Sequence, residues 1–129
     1  MDGKKTVLVA DDEVAVSKLI RYVLENAGFN VIIIQDGGEV LDHINKETPD
    51  LILLDLMLPT ISGFEILGKI RENEKLKNLP VIVLTCRGQE EDKQKAIHLG
   101  VTEYLTKPFS PSGLIDIIRN VMANRHYHE

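Results

Sequence analysis

The stretch that decides the fold is 51-LILLDLMLP-59, nine residues that contain seven apolar side chains, one proline and one charge. Four apolar residues in succession, 51–54, are typical of a strand buried on both faces of a parallel sheet. The charge is Asp55, and an unpaired carboxylate is costly to bury. The pattern therefore indicates a buried strand that delivers Asp55 rigidly to the edge of a sheet.

Similar short apolar runs recur along the chain and predict five strands. They lie at residues 6–10, 29–34, 51–54, 81–84 and 103–106. Apolar residues at helical spacing follow each run, and Gly28 and Gly100 end two of these segments. A strand followed by a helix, five times over, predicts an α/β fold whose parallel sheet is covered on both faces.

The length and composition indicate a single domain. At 129 residues the chain is long enough for one core, and we expect one domain over 1–129, with its core at about 5–122 and a short tail at 123–129. The net charge of −5 argues against non-specific nucleic-acid binding.

The location of the protein is predicted from what the sequence lacks. Cys86 is the one cysteine, so the chain has no internal disulfide framework, which fits a reducing compartment. The apolar stretch after Lys5 is too short for a signal peptide or a membrane span. We therefore expect a cytoplasmic protein without membrane insertion.

Polar side chains follow four of the predicted strands. They are Asp11, Asp12 and Glu13 after the first strand, Asp55 after the third, Thr85 after the fourth, and Lys107 and Pro108 after the fifth. Each has an ordinary explanation alone; an acid after a strand is often a helix N-cap. Because the carboxyl ends of parallel strands meet at one edge of the sheet, we expect these groups to lie together.

Clustered carboxylates repel one another, and a divalent cation relieves that repulsion. Hard oxygen ligands favour Mg²⁺, which commonly binds alongside phosphate. A carboxylate, a metal, a hydroxyl and an ammonium are also the groups that phosphoryl transfer requires. In this interpretation Asp55 is the nucleophile, Lys107 balances charge, and Thr85 donates a hydrogen bond.

The sequence resembles the receiver domain of two-component response regulators. The resemblance rests on the stretches VLVADDE, DLILLDLMLPTISGFE, PVIVLT and YLTKPF, which begin at residues 7, 50, 80 and 104, and it covers about Lys5 to Met122. It implies a doubly wound, flavodoxin-like (βα)5 domain with a five-stranded parallel sheet of order 2-1-3-4-5.

The resemblance also implies a role for each metal-binding residue. Asp55 would accept the phosphoryl group and contribute to a Mg²⁺ site. Asp12 would bind the ion directly and Asp11 largely through water, while the main-chain carbonyl of Met57 would complete the protein ligands. Gly63 would be a structural residue of the turn that follows.

Further residues would carry the switch. Thr85 would move to contact the phosphoryl group, Tyr104 would turn inward with it, and Lys107 would pair with the phosphoryl oxygens. The peptide bond before Pro108 is expected to be cis. Tyr104 could alternatively be an ordinary half-buried strand residue.

The implied partners are a sensor histidine kinase or a phosphotransfer protein as phosphoryl donor, and a downstream protein at the α4-β5-α5 face. Such a domain catalyses its own phosphorylation and dephosphorylation without being a conventional enzyme. We expect a monomer or weak dimer, and a stand-alone or excised receiver without a DNA-binding domain.

Several positions depart from the pattern of the family. Met57 and Arg87 flank the expected phosphoryl position and bear on its lifetime, and Cys86 is expected to be a neutral, packed thiol. Ser62 replaces the usual aspartate before Gly63 and can serve as a helix cap. Ile117 belongs either to a wide core stripe of the last helix or to an apolar output patch.

Three other functions are compatible with parts of this pattern. A haloacid-dehalogenase-type phosphohydrolase needs a second aspartate where Met57 stands, and a flavodoxin-type FMN carrier needs a phosphate loop without the acids of 11–13. A phosphorylation-independent interaction domain with a vestigial acidic site stays open as the alternative.

Overall fold

The computed structural model describes residues 3–86 and 89–125, in which five strands alternate with five helices. The strands are β1 (Thr6–Ala10), β2 (Asn30–Ile34), β3 (Leu51–Leu54), β4 (Val81–Thr85) and β5 (Glu103–Thr106). The helices are α1 (Val14–Asn26), α2 (Gly37–Lys46), α3 (Gly63–Glu72), α4 (Glu90–His98) and α5 (Pro111–Arg125). The predicted alternation of strand and helix is confirmed.

The sheet is parallel throughout, and its strand order is β2-β1-β3-β4-β5. This confirms the predicted flavodoxin-like order. In the register of the two central strands, Ala10 lies opposite Leu54. Asp11 and Asp55, one residue further on, therefore leave the sheet at the same level.

Both faces of the sheet are buried because alternate residues of each strand point to opposite sides. In β3, Ile52 and Leu54 belong to an apolar cluster that includes residues of α2, α3 and α4. Leu51 and Leu53 belong to a second cluster, with residues of α1 and α5. This two-sided burial explains why the 51–54 run is continuous rather than alternating.

The second strand starts at Asn30, one residue later than the sequence pattern predicts. In the structure the Phe29 N–H donates to the Leu24 carbonyl at 3.0 Å, and the Gly28 N–H donates to the Glu25 carbonyl at 3.1 Å. With Gly28 at a φ of 94°, these two bonds form the Schellman motif that ends α1. Phe29 therefore completes the helix cap, and β2 starts after it.

The last helix shows where Ile117 lies. Its side chain is half-buried and packs against the cluster shared with α1, which supports the wide core stripe. The exposed large apolar residue of the neighbouring α4 is Ile97, whose side chain is 51% exposed. None of the helices within the described ranges is long and apolar enough to cross a membrane.

Gly63 allows α3 to start directly against the end of β3. A Cβ atom at this position would overlap the main-chain oxygen of Asp55 and lie 2.6 Å from the Cα of Leu56. The Gly63 N–H also donates to the Leu56 carbonyl at 3.0 Å. Only glycine permits this approach, which is the structural role expected of Gly63.

We predict that Gly63→Ala lowers the free energy of unfolding by about 3 kcal/mol, because backbone must move to admit the methyl group. The matched control is Gly68→Ala in the same helix, where the added Cβ would meet only Leu99 at 3.8 Å. That control should be neutral or stabilising by up to about 1 kcal/mol. Urea unfolding of both variants tests this, and equal effects would contradict the close-packing argument.

Candidate functional site

Three carboxylates meet at the carboxyl edge of the sheet. Carboxylate oxygens of Asp11, Asp12 and Asp55 all lie within 4.8 Å of one another. Asp11 and Asp55 are 1% and 5% exposed, whereas Asp12 is exposed. Two of these hard, anionic oxygen donors are fixed by burial, and the third is open to solvent. This close set of donors fits the ligand preference of Mg²⁺.

The Lys107 ammonium lies among the acids and gives the cluster its positive charge. Its Nζ is 2.7 Å from Asp11 Oδ2, 2.6 Å from Glu13 Oε1 and 3.0 Å from Asp55 Oδ2. Burial alone would lower the pKa of Lys107, but hydrogen bonds with the three carboxylates outweigh burial and raise its pKa. The lysine is therefore charged throughout the physiological range.

The backbone around Lys107 aims its side chain at the acids. The Lys107 N–H donates to the Thr85 carbonyl at 2.8 Å, which continues the pairing of β4 with β5. The peptide bond between Lys107 and Pro108 is cis, the isomer that the resemblance implies.

Asp55 is held at both carboxylate oxygens. Its Oδ1 accepts a hydrogen bond from the Met57 N–H at 2.9 Å, and its Oδ2 accepts one from Lys107 at 3.0 Å. Burial raises the pKa of Asp55 and the charge of Asp11 adds to the rise, while the bonds from Met57 and Lys107 oppose it, and the net pKa is raised. The carboxylate is thus fixed in place but poorly stabilised as an anion.

Glu13 lies at the site with the other strand-end acids, as expected, although neither the sequence nor the resemblance assigns it a role. It is the nearest of the three carboxylates to the Lys107 ammonium, yet it remains largely exposed. The signal was present in the third acid of the 11–13 run. What the sequence could not show is that the chain entering α1 directs this acid back over the strand ends.

The N-cap explanation of Asp11 and Asp12 is wrong. The N-cap residue of α1 is Glu13, which makes no side-chain capping bond. Asp11 Oδ1 instead accepts the Glu13 N–H at 2.8 Å, while its main-chain oxygen accepts from Ser17 Oγ at 3.2 Å. Ser62, by contrast, caps α3 as predicted, accepting the Glu65 N–H at 3.2 Å.

The remaining predicted residues that the structure describes differ in their exposure. Thr85 is fully buried at the end of β4, and Tyr104 on β5 is half-buried against the cluster beneath α2, α3 and α4. The Met57 side chain is 53% exposed next to Asp55. Cys86 is exposed because β4 ends at Thr85 and Cys86 lies beyond the sheet, so the expectation of a packed thiol is wrong. Arg87 lies outside the described residues.

Comparison with known proteins identifies the family. The profile described as "Response regulator receiver domain" matches residues 7–119, which is most of the chain. The chain belongs to the response regulator receiver family.

Relatives of this receiver include two curated transcriptional regulators. It is 37% identical over 118 residues to the phosphate regulon transcriptional regulatory protein PhoB of Escherichia coli (strain K12), covering 92% of the chain and 52% of PhoB. It is 42% identical over 107 residues to the alkaline phosphatase synthesis transcriptional regulatory protein PhoP of Bacillus subtilis (strain 168), covering 83% and 44%. The receiver spans about half the length of these relatives.

A solved structure agrees with the fold of the receiver. The chemotaxis response regulator CheY4 of Vibrio cholerae superposes with a TM-score of 0.86 at 31% identity. The alignment covers 92% of this chain and 98% of that one. The predicted family and architecture are therefore confirmed by sequence and by structure.

The raised pKa of Asp55 predicts how stability depends on pH. The folded receiver keeps this proton to a higher pH than the unfolded chain does, so the contribution of Asp55 to stability falls as pH rises through the raised pKa. Without Mg²⁺, Asp55→Asn should therefore be more stable than wild type at neutral pH, and the difference should shrink in acid.

Urea unfolding at a series of pH values from roughly 4 to 8, with a chelator present, measures this difference. Repeating the series with Mg²⁺ is the control, because the ion should stabilise wild type more than Asp55→Asn. A variant less stable than wild type at neutral pH without metal would contradict the prediction.

Proposed function

We propose that the chain is a receiver that accepts a phosphoryl group on Asp55 in a Mg²⁺-dependent reaction. The observation that carries this proposal is the placement of the Asp55 carboxylate between the Lys107 ammonium and two further carboxylates. A merely structural aspartate would not need a second and third acid within reach of the same oxygens.

The reaction is an in-line displacement. An Asp55 carboxylate oxygen attacks phosphorus and forms the new P–O bond, while the bond from phosphorus to the donor breaks. The electron pair of the broken bond stays with the donor. In a phosphohistidine, it stays on the imidazole nitrogen. The raised pKa of Asp55 accords with a more basic, and hence more reactive, carboxylate.

Each neighbour of Asp55 then has a defined task. Lys107 moves from the resting carboxylates to neutralise charge on the phosphoryl oxygens, and Thr85 supplies a hydroxyl hydrogen bond to them. Asp11, Asp12 and the main-chain carbonyl of Met57 would hold Mg²⁺. When bound, the ion offsets the negative charge that carboxylates and phosphoryl oxygens accumulate together.

The proposed partners follow from family membership. The donor is a sensor histidine kinase or a phosphotransfer protein, and the output surface is the α4-β5-α5 face. We also propose a single domain over residues 1–129, a cytoplasmic location, and a monomer or weak dimer. Tyr104 links the site to that face because it lies on β5, opposite Val83 of the strand that ends in Thr85.

The first test is intact mass after incubation with acetyl phosphate, with and without Mg²⁺. Wild type should gain one phosphoryl group only when Mg²⁺ is present. Asp55→Asn should gain none because the amide is not a nucleophile at this position. The matched control Asp116→Asn removes an exposed carboxylate of α5 and should behave as wild type.

Absence of an adduct in wild type, also with a fast non-cognate kinase as donor, would contradict phosphoryl acceptance. The vestigial interaction domain would then be the better explanation. An adduct that persists in Asp55→Asn would instead place the phosphoryl group on another residue.

The output face generates a separate prediction at Ile97. Ile97→Glu replaces an exposed apolar side chain of α4, so the fold should tolerate it while an apolar protein contact would not. We expect loss of about tenfold or more in affinity for the phosphorylation-dependent partner, measured by calorimetry. Leu19→Glu, at an exposed position of α1, is the control and should retain binding at the output face.

A further inference from the structure

The loop after Asp55 contains a strained turn at Thr60. Among the described residues other than glycine, Thr60 alone has a positive φ, at 76°. The Ile61 N–H donates to the Pro59 carbonyl at 2.9 Å, two residues back. This bond and this φ define a classic γ-turn, which is rare, and a β-branched residue is especially unfavourable there.

The turn is held by the loop before α2. Thr60 Oγ1 donates to Asp36 Oδ2 at 2.6 Å, and the Gly37 N–H donates to the Pro59 carbonyl at 3.1 Å. The other carboxylate oxygen of Asp36 caps α2 by accepting the Gly38 N–H at 2.8 Å. The hydrogen bond from Thr60 lowers the pKa of Asp36, so the carboxylate is ionised and the bond is charge-assisted.

Gly37 packs closely against the loop that contains Thr60. A Cβ atom there would overlap the main-chain oxygen of Ile61. The loop from β3 to α3 is therefore fixed along its length. The Met57 N–H donates to Asp55 at its start, and the Gly63 N–H donates to the Leu56 carbonyl at its end. Between them, Thr60 bonds to Asp36 and the Pro59 carbonyl accepts from the Gly37 N–H.

Strain of this kind is unfavourable and persists only where surrounding contacts enforce it. The segment it shapes is short and lies beside the carboxylate cluster. Met57, whose carbonyl is the expected main-chain ligand, stands three positions before Thr60 in the same loop. A turn that relaxed at Thr60 would rotate the peptide units between the two residues.

We propose that Asp36 and Thr60 are positioning residues, which lock the γ-turn and thereby keep the Met57 carbonyl directed at the metal site. This inference rests on the proposed function, because it assumes that the carboxylate cluster binds Mg²⁺. Neither residue supplies a ligand. Their effect is to exclude other conformations of the loop before the ion arrives, as outer partners of metal ligands do.

The test is a titration of the unphosphorylated full chain with Mg²⁺ alone. Binding is measured by NMR from the signals of the backbone amides. Thr60→Val keeps the shape and the branching but removes the hydroxyl, and Asp36→Ser keeps a capping oxygen for α2 but is too short to reach Thr60. Both should weaken Mg²⁺ binding by about tenfold. The matched control Thr60→Ser keeps the hydroxyl and should bind Mg²⁺ as wild type does.

Hydrogen exchange of the Ile61 and Gly37 amides gives an independent readout, and both amides should exchange faster in Thr60→Val. Wild-type Mg²⁺ affinity in Thr60→Val and Asp36→Ser would overturn the inference, and so would an equal loss in Thr60→Ser. If wild type itself bound no Mg²⁺, the proposed function would fail first, which distinguishes the two failures.

Discussion

Placing carboxylates at the end of a buried strand requires positive charge beside them, and Lys107 supplies it. Its ammonium contacts Asp11, Glu13 and Asp55 at 2.6–3.0 Å, although the three acids and the lysine come from three different strand ends. Removing one partner of such a buried group leaves the others uncompensated, which is strongly unfavourable. The geometry of the whole carboxyl edge therefore depends on the reach of one side chain across the sheet.

The same arrangement bears on the basicity of Asp55. Burial raises the pKa of Asp55, and the ion pair with Lys107, which also contacts Asp11 and Glu13, does not cancel that rise. A lysine that paired with Asp55 alone would hold that carboxylate more tightly and leave it less basic. Asp11, Asp12 and Asp55 would hold a cation, whose charge would add to that of the ammonium in neutralising the acids.

Most of the fold could be predicted from the sequence because the patterns that indicate strands and helices are local and recur along the chain. Continuous apolar runs such as 51–54 mark strands buried on both faces, and glycines such as Gly28 mark helix ends. The site could be predicted because strand ends in a parallel sheet converge, and this convergence brings Asp11, Asp55 and Lys107 together.

The missed features depend on geometry that no local pattern encodes. The position of Glu13 over Lys107 depends on the direction in which α1 leaves the sheet. The exposure of Cys86 depends on where β4 stops. The strained turn at Thr60 depends on a contact with Asp36, which is distant in sequence. A threonine does not by itself predict a positive φ.

The register of the central strands has a consequence for how the sequence can change. Ala10 lies opposite Leu54, and the acids that follow these residues meet only because both strands end at the same level. A single-residue insertion or deletion within β1 or β3 would exchange the two faces of that strand and separate Asp11 from Asp55. Length variation should thus be confined to the connections at the opposite edge of the sheet, such as 47–50, where a changed loop leaves the alignment of the acids intact.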